Sequence, residues 1–161
     1  MTDAQVLHAY AARAAEYTSV LGAIEDMHEH DLRRIERWAG EIRGPVIDAG
    51  CGPGHWTDYL HKRGVDIAGV DFVPEFIEIA RLRFPEVLFR VSSVRALDVA
   101  DGGLSGVLAW YSLIHLVPAE LPHSLDQMSR LLQDAGFEVL DVETRHDAGR
   151  RPHAAIAAIR R

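Results

Sequence analysis

The chain of 161 residues holds a single cysteine, Cys51, so no disulfide can form within it. That excludes the disulfide-framed secreted folds and suits a reducing, cytoplasmic setting. Long apolar runs are missing too. None approaches the ~20 residues that a membrane-spanning helix requires, so no membrane partner is expected. The opening residues, Met1-Thr2-Asp3-Ala4-Gln5, lack the basic and apolar blocks of a secretion signal. An excess of positive charge is absent as well: the formal net charge is −7. That argues against nucleic acid, whose phosphates call for a basic face. Arg145, Arg150, Arg151, Arg160 and Arg161 do gather near the C-terminus, and they read as a solvated basic end. Nine histidines are present, yet none forms a metal-binding pattern. His28 and His30, two apart, point to different faces of a helix, and no H-x-x-x-H pair carries an acid in the right place.

What is there is an ordinary globular composition, 48% hydrophobic and 25% charged, at a length that suits one domain. Residues 1–43 read as a helical region and 44–161 as an α/β core. From Ala4 to about Trp38 the pattern is helical, with Leu32, Ile35, Trp38 and Ile42 at helical spacing, and Gly44-Pro45 ends it. The rhythm then alternates. Val46-Ile47 reads as a buried strand, and a helix bearing Trp56, Tyr59 and Leu60 closes at Gly64. Strands follow at Ile67–Val70, Val87–Val91 and Val107–Tyr111, with a helix begun by Pro74 between the first two. Leu121, Leu125, Met128 and Leu132 mark another helix. Phe137–Val142 and His153–Arg160 read as the last strands, the final one completing the sheet edge. Strands alternating with helices imply a Rossmann-like, doubly wound α/β fold with a mostly parallel sheet. Ligands of such sheets bind outside the carboxyl ends of the strands.

Two constellations lie at such ends. Asp48-Ala49-Gly50-Cys51-Gly52-Pro53-Gly54 sits where a strand should give way to a helix. Glycines there permit positive φ and let backbone N–H groups approach a ligand, and Asp48 can accept hydrogen bonds from the turn or from a bound amine. The next strand ends in Val70-Asp71, where a carboxylate can accept both hydroxyls of a ribose. Two nucleosides compete for such a site. A dinucleotide asks for G-x-G-x-x-G, whereas here the spacing is G-x-G-x-G, with His at position 55. The charge of Asp48 also opposes a pyrophosphate and favours a cationic ligand. Cys51, at a helix N-terminus, is placed where a thiolate is favoured; the simpler reading is a small residue that fits the turn. Trp38 and Trp56 read as core.

These motifs resemble those of the class I S-adenosylmethionine-dependent methyltransferases, of the small bacterial kind that act on small molecules. The resemblance runs from about Tyr10 to Leu132. It is carried by Ala11-Ala12-Arg13-Ala14-Ala15-Glu16-Tyr17, Val46-Ile47-Asp48-Ala49-Gly50-Cys51-Gly52-Pro53-Gly54, Gly69-Val70-Asp71 and Ala109-Trp110-Tyr111-Ser112-Leu113-Ile114-His115-Leu116. It implies S-adenosylmethionine as cofactor and a small-molecule methyl acceptor as partner. Gly50, Cys51 and Gly52 would lie against the methionine part, with Asp48 and Gly54 completing the turn. Asp71 would bind the ribose and Phe72 pack on the adenine, whose edge Ser93 and Val94 would meet. Trp110 and Tyr111 would line the methyl-transfer site, and Arg13 and Tyr17 would close over the cofactor.

The pattern also departs from that family. Ser92-Ser93 and Ser105 stand where acids are common, and the strand–helix unit usual between Leu132 and Ala135-Gly136-Phe137 is absent. The sheet would then be one strand short, with the Phe137 strand laid beside the fourth by a right-handed crossover. An exposed edge would permit a homodimer, and a poorer substrate lid would leave, as the alternative, a non-catalytic cofactor-binding module. Methyl transfer needs mainly alignment and exclusion of water. If the acceptor must lose a proton, His115, titrating near 6.5 when unperturbed, can take it, and Tyr111 can orient the acceptor. Each is otherwise a wall residue.

Overall fold

The structure, a computed structural model, describes residues 3–92, 103–110, 136–145 and 153–159. The helical opening is three helices rather than one: α1 (Asp3–Ala11), α2 (Ala14–Leu21) and α3 (Glu29–Glu41). A 3-10 turn, Ile24–Asp26, joins the last two. The break after Leu21 falls at Gly22, which caps α2 by donating its N–H to Thr18 O at 3.0 Å. The Arg83 guanidinium, far along the chain, holds Gly22 O at 2.7 Å. His28 caps α3 in turn, its Nδ1 accepting the His30 N–H at 3.1 Å.

The α/β core opens with β1 (Val46–Ala49), α4 (His55–His61), β2 (Ile67–Asp71), α5 (Pro74–Arg83), β3 (Phe89–Val91) and β4 (Gly106–Leu108), and ends in β5 (Glu138–Arg145) and β6 (His153–Ile159). Pro74 sits in the first turn of α5, where its missing N–H costs nothing. Gly64 takes φ +84 beyond α4, with its N–H on His61 O and the Val65 N–H on Leu60 O. The strands at Phe89 and Gly106 are shorter than their apolar runs suggest. The helix marked by Leu121 to Leu132 lies outside the described residues.

The six strands run in the order β3-β2-β1-β4-β6-β5. β1 to β4 are parallel, with Val46 opposite Ile67 on one side and Gly106 on the other. β6 is antiparallel to both β4 and β5. This corrects two expectations: the strand beside β4 is the last one, and the Phe137 strand is the edge. The reason is length. A parallel return takes a dozen or more residues, and too few separate Arg145 from His153. The two strands therefore pair as neighbours running in opposite directions, and β6 takes the place beside β4.

Right-handed crossovers place α4 and α5 on one face of the sheet. Ile35 and Trp38 of α3, Trp56 and Leu60 of α4, and Val46, Ile67 and Leu108 of the strands form the main core there. Ile77 and Ala80 of α5 cover Phe89 and Cys51. Ala14, Tyr10 and Tyr17 of the N-terminal helices pack on Val73 and Phe76 at the start of α5, so those helices sit next to the carboxyl end of β2. No helix among the described residues is long and apolar enough to cross a membrane.

Candidate functional site

The carboxyl ends of β1 and β2 meet at the glycine turn. Ala49 pairs with Val70, which brings the Val70 carbonyl and the Asp71 carboxylate of β2 alongside Gly50–Gly54. Three residues of the turn lie in the left-handed region, Gly50 (φ +83), Gly52 (φ +53) and Gly54 (φ +84), a conformation glycine adopts without a Cβ penalty. The N–H groups of Gly50 and Cys51 donate to Val70 O at 2.7 and 3.0 Å, and that of Gly54 donates to Cys51 O at 3.1 Å. The Gly52 N–H donates to Asp71 Oδ2 at 2.9 Å. All four amides are thus turned inward, not towards a ligand as the glycines led us to expect. A pyrophosphate nest draws on free N–H groups in such a turn, so the engagement of these four amides argues against the dinucleotide mode alongside the G-x-G-x-G spacing.

Asp71 is 6% exposed. Its Oδ1 accepts the Val73 N–H at 2.9 Å while Oδ2 holds Gly52. Each oxygen keeps a second lone pair, so two hydroxyls can still be received. Burial pushes this carboxyl above its usual range, and the amides of Val73, Gly52 and Phe72 oppose that rise. Phe72, next in the chain, is exposed. At Gly52 a Cβ would meet nothing within 4 Å. An acidic fork, an apolar ring and an open stretch of backbone therefore stand side by side. They fit a ligand with a ribose, a flat base and a phosphate-free arm, which is the composition of S-adenosylmethionine.

Other residues singled out in the sequence have packing or hydrogen-bond partners within the protein. At Gly54 a Cβ would lie 2.7 Å from Phe89 and 3.0 Å from Ala80, so this glycine lets α4 approach the core. Asp48 is 1% exposed, and its Oδ2 accepts the Thr57 hydroxyl at 2.7 Å. Burial raises its carboxyl to about 7; the Thr57 hydrogen bond lowers it and the neighbouring charge of Asp71 raises it further. A full negative charge at Asp48 was expected and is not what burial leaves at neutral pH. Thr57 was missed. Its signal is positional: one turn into the helix, on the face towards the strand it follows. Burial also drives the Cys51 thiol well above its ordinary range, with Asp48 and Asp71 adding to the effect. That overrides the helix-terminus argument for a thiolate and leaves a packing residue.

At the N-terminal side, Tyr17 forms an edge-on trio with Tyr10 and Phe76, its ring 5.4 Å from that of Phe76. Arg13 points elsewhere: its exposed guanidinium pairs with Glu16 through two contacts of 2.9 Å. Trp110, two residues beyond β4, rests edge-to-face on Trp56 at 5.8 Å. Ser93, Val94, Tyr111 and His115 lie outside the described residues.

Fold and site together define a nucleoside-binding domain of the doubly wound α/β kind. A family model described as "Methyltransferase domain" matches residues 46–136, more than half of the chain, and the protein belongs to that family. It is 36% identical over 93 residues to the magnesium-protoporphyrin O-methyltransferase of Rhodobacter capsulatus, covering 56% of this chain and 42% of that one. It is 27% identical over 122 residues to the ubiquinone biosynthesis O-methyltransferase of Xanthomonas campestris, covering 71% and 51%. The chain spans about half the length of the curated relatives it matches. In three dimensions it is similar to the magnesium protoporphyrin IX methyltransferase of Synechocystis PCC 6803 crystallised with bound S-adenosylmethionine. The TM-score is 0.61 at 18% identity, over 83% of this chain and 80% of that one. Likeness at that identity establishes the Rossmann-like methyltransferase fold.

Proposed function

We propose that this domain transfers a methyl group from S-adenosylmethionine to an oxygen of a small-molecule acceptor. The observation that carries the reading is the buried Asp71 fork, which keeps two acceptor positions beside a turn whose amides are already satisfied. When bound, the cofactor supplies an electrophilic methyl group whose sulfur leaves as a neutral thioether. The chain's part is placement. Asp71 receives the ribose hydroxyls, Phe72 covers the base, and the open face of Gly52 admits the amino-acid arm. The N-terminal helices, held on α5 through Tyr10, Tyr17 and Phe76, flank that site and help to exclude water from it. On chain position past β4, His115 is assigned to accept the acceptor's proton and Tyr111 to orient it, and on chain position past β3, Ser93 and Val94 are assigned to meet the adenine edge. The names of the two relatives support an oxygen as the methylated atom.

Calorimetric titration with S-adenosylmethionine, S-adenosylhomocysteine and NADH tests the reading. Binding of the first two with no heat from NADH is expected. Silence from all three, or tight NADH binding, would overturn it. A homodimer stays part of the proposal, because β5 and β3 both end the sheet with an outer edge; a monomeric mass at micromolar protein would remove it.

A further inference from the structure

Trp56 has no part in the cofactor site just described. Its indole is 2% exposed and sits in the main core, against Tyr59 at 5.8 Å and 88° and against Trp110 at 5.8 Å and 64°. Yet its Nε1–H, which is also buried, has no hydrogen-bond partner among the described residues. Buried donors are nearly always paired. The indole nitrogen can only donate, so what the site lacks is an acceptor atom. On the adjoining side chain, whose ring lies 6.2 Å from that of Trp56, His55 Nδ1 is likewise buried without a hydrogen-bond partner among the described residues, so polar atoms on two neighbouring rings await a ligand or a water.

Position says where that atom comes from. Trp56 follows β1 and Trp110 follows β4. These strands are neighbours at the point where the strand order reverses, since the chain runs outward from β1 through β2 to β3 and returns on the other side as β4. Open α/β sheets bind ligands in that crevice. Asp71 and Phe72 take the β2 side for the cofactor, which leaves the β4 side for the second reactant. There the half-buried Trp110 ring offers a flat surface, and aromatic surfaces of this kind are met best by other planar rings.

We propose that the Trp56 Nε1–H donates a hydrogen bond to an oxygen of the methyl acceptor while Trp110 packs against its ring, which makes the acceptor a planar aromatic hydroxyl compound and not an aliphatic alcohol. The inference rests on the methyltransferase reading above. The binding test therefore uses protein first saturated with S-adenosylhomocysteine, so that failure of that first step indicts the reading and failure of the second indicts only the acceptor. The probes are catechol, 1-naphthol and, as the non-aromatic counterpart, cyclohexane-1,2-diol, followed by calorimetry and tryptophan fluorescence. The aromatic hydroxyls should bind saturably and the diol at least tenfold more weakly. Trp56→Phe, which keeps a ring but loses the donor, should weaken 1-naphthol about fivefold or more and leave S-adenosylhomocysteine affinity unchanged. In the unaltered protein, one of the three indole N–H proton resonances should move downfield with 1-naphthol and stay in place with naphthalene. This second readout holds even if the variant folds poorly. No binding by either aromatic hydroxyl, equal binding of the diol, an unaffected Trp56→Phe, or no selective indole shift would each overturn the proposal.

Discussion

The ends of β1 and β2 make a natural comparison, because each strand delivers a buried aspartate to the same turn. Asp48 and Asp71 are 1% and 6% exposed, and burial raises both carboxyls. Their wiring differs. Asp48 faces inward onto a helix hydroxyl, Thr57, so it fastens α4 to the strand. Asp71 collects backbone amides from the turn and from the start of α5, and so orders the loops there while keeping the lone pairs that the proposed ribose contact needs. The turn divides in the same way: Gly54 belongs to the core and Gly52 to the open side. Residue type and burial do not separate the anchor from the proposed ligand site here. The partners do.

Gly54→Ala against Gly52→Ala is the strongest test of that division. At Gly54 a Cβ would press on Phe89 and also hold a left-handed φ. Overpacking and backbone strain together should cost on the order of 2–4 kcal/mol, read as a large fall in the denaturation midpoint. Gly52→Ala carries the backbone cost alone, about 1–2 kcal/mol, but fills the space assigned to the cofactor, so its main loss should be affinity. If both variants lose stability equally and affinity equally, the turn has no inner and outer half.

Asp71→Ala should rank next, with S-adenosylmethionine binding weakened by about 1–3 kcal/mol, the scale of hydrogen bonds to a charged group. Circular dichroism should confirm that the variant stays folded, since it also frees the Gly52 and Val73 amides. Asp48→Asn should change affinity far less. An Asp71→Ala protein that binds normally would move the ribose elsewhere and dissolve the contrast.

How much of this was legible in the chain follows the same line. Val46-Ile47, the three glycines and Gly69-Val70-Asp71 mark β1, the turn and the acid that ends β2, because strand period, left-handed φ and a terminal acid are local properties. The continuous helix from Ala4 to Trp38 was misread, because helical spacing on either side hides two breaks, one at Ala12-Arg13 and one that begins at Gly22, which Arg83 holds. The place of β6 between β4 and β5 was misread through connection length rather than composition. The inward amides and the role of Thr57 are not local at all. They depend on which carbonyl or carboxylate of β2 lies beside the turn, and on which face of α4 meets β1. Charge was the least legible property, since Asp48 has its formal charge in the sequence and loses much of it to burial.

The protonation of Asp48 supplies a smaller, pH-dependent test. Burial lifts its carboxyl to about 7 in the folded protein, from the 3.8 of an ordinary aspartate. Between pH ~4 and 7 the folded protein therefore keeps a proton that the unfolded chain has released. Stability from this group is greatest at low pH and falls as pH rises through the window, by about 1.4 kcal/mol per unit at the steepest. Asp71 is raised too, so the informative quantity is the difference between the parent and Asp48→Asn. Denaturant unfolding at pH 4.5, 5.5, 6.5 and 7.5 should show the parent losing stability relative to the variant at each step. Parallel curves would mean that Asp48 is ionised throughout, and that its link to Thr57 holds a full charge.

The smallest expected effect lies at the N-terminal helices, where the family resemblance assigned Arg13 to the cofactor. Its guanidinium lies on Glu16, with the two side chains 71% and 61% exposed. Exposed pairs of this kind contribute little, because water screens them and ordering two long side chains offsets the attraction. Arg13→Ala should therefore leave both the melting temperature and S-adenosylmethionine affinity within error, placing Arg13 with the anchors of the fold's rim and leaving Tyr17, packed on Phe76, as the closer neighbour of the site. A fivefold or greater loss of affinity at unchanged melting temperature would show the reverse. Arg13 would then leave Glu16 when the cofactor binds, and the ligand-facing half of the comparison would extend from Asp71 to the second helix of the chain.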